Sequence, residues 1–211
     1  MKRYFLRKPF AFILSGILGF FLPACSDNYQ KALTAYNDGD YKRAIIFFSE
    51  AAEQGDTRAQ TRLGVCYYEG KGALPQDYTK AVNWFRKAAE QGNAEALFNL
   101  GVCYYVGKGV PRDYTKAVNW WWEAAERGNA EAQFNLGICY ENGRGVTQDY
   151  VKAVNWFRKA AEQGNAKAQF NLGVCYYEGK GVPKDYAKAF NWFLKAAEQG
   201  SNSCSWCPYP I

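Results

Sequence analysis

Apolar residues recur with the period of an α-helix through most of this chain. In the segment that begins at Asn129, they stand at positions i, i+4, i+7 and i+8, which places them on one face of a helix. These residues are Ala132, Leu136, Cys139 and Tyr140. Asparagine and glycine residues interrupt the pattern at 142–145. They predict the end of this first helix.

A second amphipathic helix is predicted to begin after Asp149, whose carboxylate is placed to cap its first turn. Its apolar face comprises Tyr150, Ala153, Val154, Phe157, Ala160 and Ala161. Gly164 is placed to end this helix. In the first helix, Gly137 lowers helix propensity by up to ~1 kcal/mol, which is acceptable where another helix approaches closely. The segment therefore predicts two packed helices joined by a turn.

The same pair of helices recurs along the chain. Asp-Tyr dipeptides begin at residues 77, 113, 149 and 185, which are 36 residues apart, and a divergent copy begins at residue 40. The five pairs that we count are 27–54, 56–91, 93–127, 129–163 and 165–199. Because one pair buries only one of its sides, the pairs must stack on one another. The fold class is therefore all-α, a solenoid of helix–turn–helix repeats.

The first 25 residues differ from the repeats and have the layout of a bacterial export signal. Four basic residues lie in the first eight positions, and thirteen mostly apolar residues without a charge follow at 10–22. At 1.5 Å per residue these thirteen span roughly 20 Å, which is less than the ~30 Å hydrocarbon core of a bilayer. A cleaved signal at 1–25 is therefore favoured over a permanent membrane helix.

The end of this signal, Leu22-Pro23-Ala24-Cys25, resembles a lipobox. The resemblance implies that Cys25 carries lipid and becomes the first residue of the mature protein. Ser26 follows it rather than aspartate, which in the sorting pattern of enteric bacteria favours the outer membrane, with the protein facing the periplasm or the surface. The alternative is ordinary cleavage near Ala24, which leaves a free periplasmic or secreted protein.

Charge and composition exclude several classes of function. The chain has 26 basic and 20 acidic residues, and four of the basic ones lie in the signal, which leaves 22 against 20. This balance does not favour nucleic-acid binding. The chain contains no histidine, which removes Ser/His and Cys/His catalytic pairs and His-ligated metals. We expect no catalytic residues, no cofactor and no metal.

The repeats resemble a known family. Residues 168–182 (AQFNLGVCYYEGKGV), the Asp-Tyr dipeptide at 185 and the segment KAAEQG at 195–200 together are similar to the Sel1-like repeat. Four copies cover 56–200, whereas 27–55 lacks the Gly-Lys-Gly loop and is more similar to a tetratricopeptide repeat. The resemblance implies a right-handed α/α solenoid that holds a partner protein or peptide.

Four cysteines occupy one column of the repeat: Cys66, Cys103, Cys139 and Cys175. Equivalent residues of stacked pairs lie roughly 10 Å apart, whereas a disulfide requires Cα atoms within about 7 Å, so we interpret these cysteines as buried apolar residues. Cys204 and Cys207 lie in an irregular tail at 201–211, where an exported protein permits a disulfide. The cysteine-rich branch of the family is not supported, because its extra cysteines at the helix junctions are missing here.

The candidate binding surface is the stripe of each first helix that the core does not use, since first helices line the concave side of a curved stack. Its residues are Phe98, Asn99, Val102, Tyr105, Phe134, Asn135, Ile138, Phe170, Asn171, Val174 and Tyr177. The aromatic residues suit peptide recognition, or else they pack between repeats. The asparagines bridge a peptide backbone, or else they bond to a neighbouring loop. Trp122 is a separate candidate, because two other copies carry arginine at its position.

The leading interpretation is an exported, lipid-anchored adaptor that binds a protein or peptide partner and is not an enzyme. One alternative is a hydrolase of the cysteine-rich Sel1-like type that acts on the cell wall or on β-lactams. Another alternative is a structural protein that assembles with itself through the last repeat, whose outer side has no polar capping helix.

Overall fold

The computed structural model describes residues 22–72 and 74–199, and within them it contains ten α-helices and no strand. The helices are α1 (Leu22–Asn37), α2 (Tyr41–Glu53), α3 (Thr57–Glu69), α4 (Tyr78–Glu90), α5 (Ala94–Val106), α6 (Tyr114–Glu126), α7 (Ala130–Asn142), α8 (Tyr150–Glu162), α9 (Ala166–Glu178) and α10 (Tyr186–Glu198). The extensive contacts join helices that are consecutive in the chain. The predicted all-α solenoid is confirmed.

Consecutive helix pairs form repeats 1 to 5, from α1 with α2 to α9 with α10. The helix bounds agree with the five predicted pairs except at the start, where α1 begins at Leu22 rather than near Asp27. The first turn of a helix accepts a proline such as Pro23, because the N–H groups of that turn have no intrahelical partner. The helix therefore begins inside the segment that we interpreted as the signal.

Several predictions fall outside the described residues. These are the export signal up to residue 21 and the tail at 201–211 with Cys204 and Cys207, and the side chain of Cys25 also lies outside them. Within 22–72 and 74–199, no helix is both long and apolar enough to cross a membrane.

Side chains at the start of helices α2 to α10 stop the chain from fraying there. Oδ1 of Asn129 accepts a hydrogen bond from the N–H of Ala132 at 2.8 Å, and Oδ1 of Asp149 accepts one from the N–H of Lys152 at 2.9 Å. That backbone bond lowers the pKa of Asp149. The first helices of repeats 2 to 5 end on a glycine in the left-handed region, as Gly143 does with φ 67°. The predicted caps are thus present.

A glycine in the first helix of repeats 2 to 5 is the point of closest approach to the second helix. A Cβ at Gly137 would lie 2.4 Å from Cδ1 of Phe157, and one at Gly101 would lie 2.3 Å from Cδ1 of Trp121. Gly64 and Gly173 meet Phe85 and Phe193 in the same way. Each aromatic ring therefore fills the space where any other residue would place a side chain.

Each repeat buries its second helix against the repeat that follows. Val154 of α8 is 1% exposed, whereas Phe190, at the same position of the last repeat, is 65% exposed. Leu194 and Tyr186 of α10 are exposed as well. An apolar face therefore remains on α10 within the described part of the chain, and self-association through this face stays a prediction.

Replacement of Gly137 by alanine tests the contact inside a repeat. Alanine is the better helix former by about 1 kcal/mol, so a destabilised variant would show that the ring of Phe157 has no room for a methyl group. We expect Gly137→Ala to lower the free energy of unfolding by about 1–3 kcal/mol in urea denaturation. In a Phe157→Leu background, the same change should cost clearly less. An equal cost in both backgrounds would contradict the proposed contact.

Candidate functional site

Five of the predicted binding residues line one cleft between the first helices of repeats 3 and 4. The cleft has a volume of about 250 Å³ and is mostly apolar. Its lining, which defines the Tyr105 cleft, is Val102, Tyr105, Trp121, Phe134, Asn135, Ile138 and Cys139. Trp121 and Cys139 were not among the residues predicted for this surface.

A smaller cleft lies one repeat earlier, between the first helices of repeats 2 and 3. It has a volume of about 140 Å³. Its lining, which defines the Tyr68 cleft, is Val65, Tyr68, Glu69, Phe85, Asn99 and Val102. Because Val102 belongs to both clefts, the two form one continuous surface across three first helices. We call this surface the groove.

The floor of the Tyr105 cleft is the ring of Trp121, which stands where other repeats have phenylalanine. Its Nε1 donates a hydrogen bond to the backbone oxygen of Phe98 at 3.1 Å, and its ring lies 5.2 Å from that of Tyr105, measured between centroids. The indole N–H is therefore satisfied inside the protein. What it presents to the cleft is an apolar surface.

The asparagine column runs along the groove. Asn99, Asn135 and Asn171 are half-buried on α5, α7 and α9. None of the three carboxamides has a side-chain hydrogen bond to any described residue. The predicted alternative, a bond to a neighbouring loop, is therefore not present in this part of the chain. Each carboxamide keeps a donor and an acceptor for a ligand.

A column of three cations, Lys71, Lys108 and Arg144, lines one edge of the groove. Each lies in the loop after a first helix and reaches a tyrosine of the preceding repeat. Arg144 donates a hydrogen bond to the hydroxyl of Tyr105, and Nζ of Lys108 lies 5.0 Å from the ring centroid of Tyr68. The pKa of Lys108 is raised, chiefly by its hydrogen bond to a tyrosine hydroxyl. These contacts hold the edge of the groove in place.

The remaining predicted residues lie outside the two clefts described above. Phe98 is half-buried beside Trp121, and Phe170, Asn171, Val174 and Tyr177 lie on α9, one repeat beyond the Tyr105 cleft. Trp122 lies on α6 and is 50% exposed, but it lines neither cleft. The exposure expected for Trp122 is present. A binding role for each of these residues stays a prediction.

A buried ladder of glutamines between repeats was not predicted. The side chain of Gln133 donates to the backbone oxygen of Ala125 in the preceding repeat at 3.1 Å and accepts from Gln163 at 2.7 Å. Gln60 with Gln91 and Gln169 with Gln199 make the same pair of bonds. In repeat 3 both partners differ. A leucine and an arginine, Leu97 and Arg127, replace the two glutamines.

The four repeat cysteines are buried free thiols, as predicted. Burial raises the pKa of Cys66 and Cys139 to about 11, and that of Cys103 and Cys175 to about 12. A thiol that stays protonated is a poor nucleophile and a poor metal ligand. Over the described ranges, no cluster of three or more Cys, Asp and Glu residues has metal-site geometry.

These features define a helical-repeat protein whose first helices form an apolar groove. A profile of the Sel1 repeat matches 36–56, 57–93, 94–129, 130–165 and 166–201, which is most of the chain. The chain belongs to the Sel1 repeat family, whose members generally act as scaffolds for protein interactions. The match at 36–56 falls in the repeat that we found more similar to a tetratricopeptide repeat.

Solved structures of the same family are similar over most of the chain. One is c5321, a protective antigen of uropathogenic Escherichia coli, with 38% identity, 83% of this chain covered and a TM-score of 0.78. This chain spans only 38% of the length of that protein. A Sel1 repeat protein from Oxalobacter formigenes has 33% identity, with 82% of this chain and 70% of that chain covered and a TM-score of 0.77. A search of curated proteins found no significant match.

Thiol labelling tests the burial of the cysteine column. We expect iodoacetamide at pH 8 to leave Cys66, Cys103, Cys139 and Cys175 unmodified in the native protein, because their raised pKa values keep the thiolate population far below that of a free cysteine. All four should react in urea at about 6–8 M, a concentration that unfolds most small domains. Peptide mass spectrometry identifies each site. Rapid native labelling at any of the four would contradict this burial.

Proposed function

We propose that this protein is an exported, lipid-anchored adaptor that binds a peptide or protein segment in the groove. The observation that carries the proposal is the asparagine column. Asn99, Asn135 and Asn171 recur on successive first helices, and their carboxamides are not engaged by any described side chain or loop. A surface that repeats an accessible donor and acceptor on three successive first helices suits an extended chain, which repeats the same two groups in its backbone.

The clefts beside this column supply the apolar part of the interaction. The Tyr105 cleft presents Tyr105, Trp121 and Phe134, which are rigid aromatic surfaces of the kind that dominate binding energy at interfaces. An apolar side chain of the partner enters this cleft while its backbone bonds to Asn135. The cation column at the groove edge adds a preference for a partner with acidic residues next to the apolar one.

Family membership supports a non-enzymatic role. Sel1 repeat proteins are typically scaffolds without catalysis, and the thiols of this chain are buried and protonated. The alternative of a hydrolase that acts on the cell wall or on β-lactams has no such support. Specificity in a repeat scaffold lies in its surface side chains, so the partner of this protein does not follow from the partners of its relatives.

The N-terminal sequence supports export and lipid attachment at Cys25. The basic start, the short apolar stretch and the residues Leu22-Pro23-Ala24-Cys25 are those of a lipoprotein signal. We propose that this protein lies at the outer membrane, facing the periplasm or the surface, because Ser26 rather than aspartate follows Cys25.

Site-specific photo-crosslinking in the producing cell tests the groove. We expect a photo-reactive amino acid at position 135 to form a crosslinked adduct with a partner protein. The matched control is position 155, another asparagine, which is exposed on α8 of the same repeat. Asn135→Ala should weaken binding of the crosslinked partner by about tenfold, because the backbone of the partner loses two hydrogen bonds to the carboxamide. Equal adducts at both positions, or adducts at position 155 alone, would refute the groove as the binding surface.

Intact mass of the protein from the membrane fraction tests the anchor. The wild-type protein should carry the added mass of lipid at Cys25 and should begin at that residue. A Cys25→Ala variant should lack the mass of this lipid. A wild-type protein that is cut near Ala24 without lipid would contradict the anchor and leave the groove unaffected.

A further inference from the structure

On the outer surface of the second helices, a lysine covers the face of a tryptophan in three repeats. The distance from the lysine Nζ to the tryptophan ring centroid is 4.1 Å for Lys87 and Trp84, 4.2 Å for Lys159 and Trp156, and 4.5 Å for Lys195 and Trp192. The lysine is three residues after the tryptophan, so the two face each other on the helix. An ammonium group at this distance is attracted by the electrons of the ring.

Repeat 3 departs from this rule. Its tryptophan is Trp120, and Glu123 takes the place of the lysine. In the described part of the chain, no lysine or arginine lies over the ring of Trp120. A cleft of about 330 Å³ opens there instead. Its lining, which defines the Trp120 cleft, is Tyr104, Lys116, Asn119, Trp120 and Glu123.

The charges around the Trp120 cleft leave room for an additional cation. Nζ of Lys116 is 3.5 Å from a carboxylate oxygen of Asp113 and 5.7 Å from the ring centroid of Tyr104, so its charge is already paired. Glu123 forms an exposed ion pair with Arg127, 3.0 Å from Nη2 to Oε1. An exposed pair of this kind contributes little and exchanges partners at low cost. A cation that enters the cleft therefore meets an aromatic face and an available carboxylate.

We propose that the Trp120 cleft binds a basic side chain of a partner protein, whose ammonium or guanidinium group takes the place over Trp120 that lysine occupies in the other repeats. This cleft shares no residue with the groove, and the proposal does not depend on the groove. The partner that fits it presents a lysine or arginine on an exposed segment. The competing explanation is that Glu123 serves only to pair with Arg127, which itself replaces a glutamine of the buried ladder.

Titration of the ¹⁵N-labelled protein with the peptide trilysine tests the proposal. The readout is the indole N–H resonance of Trp120, assigned with a Trp120→Phe variant. We expect trilysine to shift this resonance with a dissociation constant in the millimolar range or below, and triglutamate to leave it unchanged. No shift of the Trp120 resonance at about 10 mM trilysine would overturn the proposal.

Two variants separate the proposal from the competing explanation. Glu123→Lys gives repeat 3 the residue that its three sister repeats carry, so it should fold, and it should weaken trilysine binding by at least about tenfold. Arg127→Gln removes the internal competitor for Glu123 and should strengthen binding severalfold. If Glu123 serves only Arg127, neither variant changes the response of Trp120.

The reciprocal change in repeat 4 is the matched control. Lys159→Glu uncovers the ring of Trp156 and places a carboxylate beside it, so the Trp156 resonance should become responsive to trilysine. In the wild-type protein the same resonance should not respond. Equal responses of Trp156 and Trp120 in the wild-type protein would show that trilysine binds without regard to the uncovered ring, and would contradict the proposal.

Discussion

The contact between a glycine of the first helix and an aromatic ring of the second is the constraint on which the rest of the structure depends. Because the ring occupies the volume of a missing Cβ, the two helices meet at one register in each of four repeats. That register fixes which face of the first helix turns outward. The groove exists because residues such as Phe134 and Ile138 flank the glycine on that outward face. A scaffold built this way is rigid before any partner binds, which reduces the entropy that binding must overcome.

Regular and irregular positions of the array have different roles. Positions that repeat without change, such as the aspartate at the start of every second helix and the buried cysteines of repeats 2 to 5, stabilise the stack. Repeat 3 differs from its neighbours at several positions at once, with Leu97, Glu123 and Arg127 in place of glutamine, lysine and glutamine. The exchange of both ladder partners together indicates that they are coupled, since a single glutamine would lose its partner in a buried site. Of the residues that line the Trp120 cleft, Glu123 changes with them, whereas Tyr104, Lys116, Asn119 and Trp120 are the same residues in repeats 2, 4 and 5.

Much of the fold could be predicted from the sequence, because the spacing of apolar residues reports directly which side of a helix is buried. The half-buried stripe of Phe134 and Ile138 followed from the same period. The glutamine ladder could not be predicted this way, because Gln133 is polar and a periodicity argument assigns polar residues to the surface. Two signals were available in the sequence. Gln163 follows Gln133 by 30 residues, and both glutamines of this pair are replaced together in repeat 3. The predicted start of the first helix pair at Asp27 was wrong, because the composition of residues 1–25 predicts an export signal and does not indicate where a helix begins.

A glycine and an aromatic ring set the register of each of repeats 2 to 5. Nuclear Overhauser effects in the native protein measure it most directly. We expect cross-peaks between the Hα protons of the glycine and the ring protons of the aromatic residue in each repeat. The four pairs are Gly64 with Phe85, Gly101 with Trp121, Gly137 with Phe157 and Gly173 with Phe193. Gly128, which has no side chain near the position of its missing Cβ, should show no cross-peak to an aromatic ring. Absence of these four contacts in the folded protein would contradict the claim.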